Sequence, residues 1–125
     1  MFIEILHNRL SNTILLYVFF LALWGFFRFF RKQGVDSNYW GALVIAEVVI
    51  LVQGVIGIIL WASNLRPGGE AMHILYGVVG ALGIPAVYAF TRGRDERREV
   101  LIYAAVLLFL SGVFLRSWAT GIPAL

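Results

Sequence analysis

The segment YWGALVIAEVVILVQGVIGIILWA, residues 39–62, decides the fold of this chain. Glu47 is its one charged residue, and Gln53 is its one other strongly polar residue. A helix rises about 1.5 Å per residue, and the hydrocarbon core of a bilayer is about 30 Å thick. A helix over these 24 residues is therefore long and apolar enough to cross a membrane.

Three more segments have the same character, and they lie at residues 5–30, 70–90 and 99–118. The whole chain is 61% hydrophobic and 14% charged, well outside the composition of soluble domains. The first segment lacks a basic start, so we expect it to be a retained span and not a cleaved signal. Ser37 is the predicted N-cap of the second span. The sequence predicts an all-α integral membrane protein, with residues 1–125 forming one four-helix transmembrane bundle.

The basic residues predict the orientation of this bundle. Seven of the ten lysines and arginines fall in the segments after the first and third spans, namely Arg28, Arg31, Lys32, Arg92, Arg94, Arg97 and Arg98. Because cytoplasmic loops collect basic residues, we expect both termini on the outer, non-cytoplasmic side of a bacterial inner (plasma) membrane. Membrane topology thus accounts for the net charge of +3, and no nucleic-acid partner is expected.

His7 and His73 are the two histidines of the chain, and both are predicted near the outer ends of their spans. Two imidazoles that face each other across a helix bundle can ligate a haem iron from opposite sides, with nitrogens about 4 Å apart. The chain has no cysteine, which excludes thiolate ligands and covalent haem attachment. We therefore expect one haem b per chain, with His7 and His73 as its iron ligands.

Small and basic residues around these histidines are further candidates for the haem site. Gly77, Gly80 and Gly83 follow His73 along one helix face and would leave room for the macrocycle, as would Ser11 beside His7. The candidates for contacts to the haem propionates are Arg9, Arg66 and Arg116. Each feature has another interpretation: a polar residue at the membrane boundary, a close helix–helix contact at the glycines, or a surface arginine that snorkels.

Other polar or helix-breaking residues lie deeper in the spans. Glu47 is either a proton carrier or a protonated side chain bonded to a neighbouring helix. Gln53 is predicted to make a structural hydrogen bond between helices. Pro85 is predicted to kink the third span.

The stretch Glu4-Ile5-Leu6-His7-Asn8-Arg9 resembles the Glu-x-x-His-Arg motif of the haem A synthases. Residues 51–57, LVQGVIG, followed by a Pro/Gly turn and His73, are similar to the next two spans of one half of such a synthase. The resemblance covers about residues 4–90. It implies a four-helix bundle with His7 and His73 as axial haem ligands, and it matches Glu4 to an acidic residue tied to chemistry on the substrate haem.

This chain departs from the family in three ways. Asn8 displaces the arginine by one position, the cysteine pair of many members is absent, and one bundle is present where the synthases have two. These departures favour a cytochrome b-like protein for electron transfer, or a haem-bearing subunit of a respiratory or photosynthetic complex, over an enzyme. The expected partners are the lipid bilayer, a larger membrane complex or a second copy of the chain, and a quinone or an electron-transfer protein.

Two other functions remain open on the sequence. One is a haem-modifying enzyme that works as a dimer, with Glu4 as its weak catalytic candidate. The other is a protein without haem, either a small transporter that uses Glu47 or an accessory subunit that packs against partners.

Overall fold

The part of the chain that the structure describes folds into four long α-helices. The structure, a computed structural model, describes residues 2–63 and 70–120, without the side chains of residues 70, 71 and 118–120. The helices are α1 (Phe2–Phe30), α2 (Ser37–Ala62), α3 (Glu70–Thr91) and α4 (Arg97–Thr120). Each is long and apolar enough to cross a membrane. The predicted four-helix, multi-pass architecture is confirmed at this level.

Local capping moves two of the predicted helix starts. Asp36, and not Ser37, is the N-cap of α2, because its carboxylate accepts a 2.8 Å hydrogen bond from the backbone N–H of Tyr39. Helix α4 starts two residues before its predicted span. There the Glu99 side chain accepts from the backbone N–H of Glu96, which satisfies one of the amides at this helix start.

The four helices pack in a ring in chain order. Helix α1 packs against α2 and α4, and α3 packs against α4 and, least closely, against α2. Within the described ranges α1 and α3 are diagonal and do not pack directly on each other. Large buried side chains from all sides fill the centre, including Val18, Leu43, Ile84, Leu107 and Leu110. The bundle therefore has one core, and the seam between α2 and α3 is its loosest side.

The segments 31–36 and 92–96 form one end of the bundle, here called the loop end. The backbone N–H of Val35 donates to the carbonyl oxygen of Asp95 over 2.8 Å, which joins the two segments. Gly34 lies so close to the same carbonyl that a β-carbon would have no room. The Arg97 side chain donates to the carbonyl of Phe29 over 2.7 Å. These contacts fix the helices relative to one another at the loop end.

Large apolar side chains cover much of the outer surface. Among the most exposed are Phe20, Phe30, Ile58, Leu82 and Phe90. Apolar surface of this extent is costly to expose to water, but lipid or a partner helix can cover it.

Candidate functional site

The two histidines meet at the end of the bundle opposite the loop end, here called the histidine end. His7 lies in the second turn of α1 and His73 in the first turn of α3, on the two diagonal helices. Their ring centroids are 6.5 Å apart, and the ring planes are inclined at 59°. Two diagonal helices thus bring their imidazoles together across the bundle although their backbones do not pack on each other.

A contact with α4 determines which ring nitrogen of His73 carries the proton in the neutral ring. The Nδ1 atom of His73 lies 2.8 Å from the backbone carbonyl oxygen of Ser117. A carbonyl oxygen can only accept a hydrogen bond, so Nδ1 must carry the proton and donate. In the neutral ring the lone pair is then on Nε2. This is the usual state of a metal-ligating histidine, whose other nitrogen donates to a carbonyl or carboxylate.

His7 is confined by helix α2. A β-carbon on Gly57 would lie 3.4 Å from Cε1 of His7, so the ring packs directly on this glycine. The Nδ1 atom of His7 is buried and has no hydrogen-bond partner among the described residues. Because a buried polar atom without a partner is costly, this nitrogen marks an incomplete polar site.

Gln53 connects α2 to the backbone of α1 beside His7. Its amide nitrogen donates to the carbonyl oxygen of His7 over 2.9 Å and to the hydroxyl of Ser11 over 2.6 Å. The Ser11 hydroxyl in turn donates to the same carbonyl over 2.9 Å. The interhelical hydrogen bond predicted for Gln53 is confirmed, and its target is the turn of α1 that carries the histidine.

The spacing of the two rings is compatible with two imidazoles on one metal ion. A metal–nitrogen bond of about 2.0 Å on each side, with roughly 1 Å from each nitrogen to its ring centre, separates the centroids by about 6 Å. The observed 6.5 Å is close to this value. Within the described ranges no group of three or more His, Cys, Asp or Glu side chains could hold a metal ion. Two imidazoles suit a haem iron, whose remaining ligands are the porphyrin nitrogens.

The predicted glycine face on α3 divides into two parts. A β-carbon on Gly77 would have nothing within 4 Å, so space lies beside this residue. On Gly80 it would collide with the ring of Phe114, and on Gly83 it would lie 2.8 Å from a methyl carbon of Leu110. Gly80 and Gly83 therefore allow α4 to approach closely, which is the alternative interpretation of the glycines, and the space expected at Gly80 is filled by Phe114.

The charged candidates that the structure describes are all exposed: Glu4, Arg9 and Arg116. Arg9 is exposed, and its position two residues after His7 puts it about 200° around α1, away from the His7 face. Arg116 is exposed beside Ser117, at the level of His73. Glu4 is exposed in the first turn of α1. Arg66 lies outside the described residues.

Glu47 forms a second polar position, deeper in the bundle. One of its carboxyl oxygens is buried and has no hydrogen-bond partner among the described residues. Glu47 follows Trp40 by seven residues and so lies on the same side of α2. The Trp40 ring contacts Tyr88 of α3 and Tyr103 of α4, so Glu47 lies on the side of α2 that faces the loose seam with α3.

Ser117 is the site residue that the sequence did not indicate. It acts through its backbone carbonyl, and any residue type can supply that group. The available signal was its place near the end of the last span, at the level of the two histidines.

The chain was also compared with known proteins. It matches no protein-family model, no curated protein and no solved structure. The resemblance to the haem A synthases therefore depends on the residues quoted above alone.

Proposed function

We propose that this chain is a membrane-embedded cytochrome b-like protein that binds one haem b between His7 and His73. The observation that carries the proposal is the 6.5 Å separation of the two imidazole centroids across the diagonal of the bundle. The hydrogen bond from Nδ1 of His73 to the carbonyl of Ser117 supports it further, because metal-ligating histidines commonly donate from their other ring nitrogen to a carbonyl.

The residues of the histidine end would hold and orient the group. His7 and His73 would be the axial ligands, and the open space beside Gly77 would accommodate part of the macrocycle. Of the arginines that the structure describes, Arg116, exposed at the level of His73, is the proposed partner of a propionate. A bound haem iron would supply one-electron redox chemistry.

The orientation and the partners are part of the same proposal. With the basic loop end in the cytoplasm, both termini and the histidine end face the outer side of a bacterial inner membrane. If His7 and His73 both ligate the iron, no position would remain open for oxygen, which favours electron transfer over oxygen binding. The proposed partners are a quinone or an electron-transfer protein, within a larger membrane complex or a homo-oligomer.

The experiment is a dithionite-reduced minus oxidised absorbance spectrum of the purified protein in detergent, with His7→Ala and His73→Ala. Asn8→Ala and Met72→Ala are the matched controls, because each replaces an exposed neighbour of one histidine. We expect sharp Soret and α bands in the wild type and both controls, and their loss in both histidine variants. A folded but colourless wild type would overturn the proposal and turn attention to Glu47 and a transport or assembly role.

A further inference from the structure

Two complementary polar atoms at the histidine end are buried and unpaired in the described residues. They are Nδ1 of His7 and the side-chain oxygen Oε1 of Gln53. The Gln53 amide lies beside His7, because its nitrogen donates to the His7 carbonyl oxygen, but Oε1 and Nδ1 are not hydrogen-bonded to each other in this structure. One atom is a potential donor and the other can only accept, so each could satisfy the other.

The orientation of the Gln53 amide is fixed by its other contacts. Its nitrogen lies 2.9 Å from the backbone carbonyl oxygen of His7, and a carbonyl can only accept. The amide nitrogen must therefore face the His7 carbonyl oxygen, and Oε1 must be the other terminal atom of the side chain. Exchanging the two atoms would set an oxygen against the carbonyl oxygen, so the assignment follows from chemistry.

We propose that Gln53 is a positioning residue for the haem ligand His7, with its Oε1 accepting a hydrogen bond from Nδ1–H of His7 so that Nε2 faces the iron. This inference rests on the proposed function. It gives both ligands the same arrangement, because His73 already donates from Nδ1 to the carbonyl of Ser117 over 2.8 Å. Each imidazole would then be held by one oxygen acceptor from a neighbouring helix, α2 for His7 and α4 for His73.

The bond would have two measurable effects. It fixes the rotation of the His7 ring, and outer-shell partners of this kind typically change metal affinity by about 10- to 100-fold. It also draws the Nδ1 proton toward oxygen, which makes the imidazole a stronger electron donor and stabilises ferric over ferrous iron. The second effect separates a positioning role from a merely structural one, because a residue that only joins two helices would not set the reduction potential.

The experiment measures haem affinity and reduction potential in Gln53→Leu and Gln53→Glu. Val52→Ala is the control, since Val52 is the exposed neighbour of Gln53 on α2. We expect Gln53→Leu to lower haem affinity by about 10- to 100-fold and to raise the potential. Gln53→Glu keeps an oxygen that can accept from Nδ1 of His7, but it loses the amide donor to the His7 carbonyl and to Ser11. It should therefore hold less haem than the wild type, hold more than Gln53→Leu, and have a potential below that of the wild type.

The outcomes separate this inference from the function on which it rests. If the wild type shows the bis-histidine spectrum but both Gln53 variants keep its potential, the inference is wrong and the proposed function stands. The Gln53→Glu potential decides the question even where Gln53→Leu fails to assemble. A colourless wild type would overturn both proposals.

Discussion

Replacement of Gly57 tests how closely His7 is confined by α2. A β-carbon at Gly57 would lie 3.4 Å from Cε1 of His7, close to the about 3.5–4.0 Å at which carbon atoms pack best. Alanine is therefore tolerated with a shift of a few tenths of an ångström. Valine or leucine extends about 1.5 Å farther along each bond. The imidazole must then move by roughly 1–2 Å, because the larger side chain occupies its place.

A displacement of that size is comparable to the metal–imidazole bond itself, which is about 2.0 Å long. We therefore expect Gly57→Ala to keep the wild-type difference spectrum and haem content, and Gly57→Leu to lose the bis-imidazole signal. Gly54→Leu is the matched control, one turn earlier on α2, where a β-carbon meets nothing within 4 Å. A folded Gly57→Leu protein with the wild-type haem content and spectrum would refute this account of the site.

Three further predictions concern the fold and the metal centre. Gly25→Ala should destabilise the protein by about 1–3 kcal/mol through overpacking, because its β-carbon would collide with the Tyr39 hydroxyl. The control Gly41→Ala, with open space around it, should not destabilise the protein. Unfolding in mixed detergent–SDS micelles measures both variants, and the same unfolding midpoint for Gly25→Ala and Gly41→Ala would contradict the packing. Arg94→Gln should lower the free energy of unfolding by only about 0.2–1 kcal/mol. The Arg94 guanidinium lies 3.6 Å from the buried carboxylate of Glu99 but is itself half exposed. A several-fold larger loss of stability in the same assay would show that the pair acts as a buried ion pair. The planes of the His7 and His73 rings are inclined at 59°. The ferric protein should therefore give a low-spin electron paramagnetic resonance signal of the type shown by two strongly inclined imidazole ligands. A signal typical of parallel imidazole planes would contradict this geometry.

The four helices could be predicted because the bilayer sets both the length and the composition of a spanning segment. Boundaries were less accurate where two capping residues stand side by side. Asp36 and Ser37 are both good N-caps by type, and the choice depends on which side chain reaches the backbone N–H of Tyr39. That reach depends on the path of the preceding loop, which hydropathy does not specify.

The site could be predicted only as far as the depth of each residue in the membrane. Counting positions along the spans places His7 and His73 at one level, but it does not give the rotation of each helix about its axis. Helices that are apolar on nearly every side carry little information about rotation. The targets of Gln53 and the filling of the space beside Gly80 by Phe114 both depend on that rotation, and so they required the structure.

The contacts at the histidine end also bear on the choice between electron transfer and haem modification. The His73 ring is held by the carbonyl oxygen of Ser117, and the proposed bond to Gln53 would hold His7 in the same way, so both imidazoles would stay in place as ligands. With both histidines as ligands, the proposed haem would supply one-electron redox chemistry and would need no substrate site on its iron. Glu4, the candidate residue for haem modification, is exposed in the first turn of α1 and is not buried in the site. The proposed ligation is therefore better suited to electron transfer than to modification of the haem.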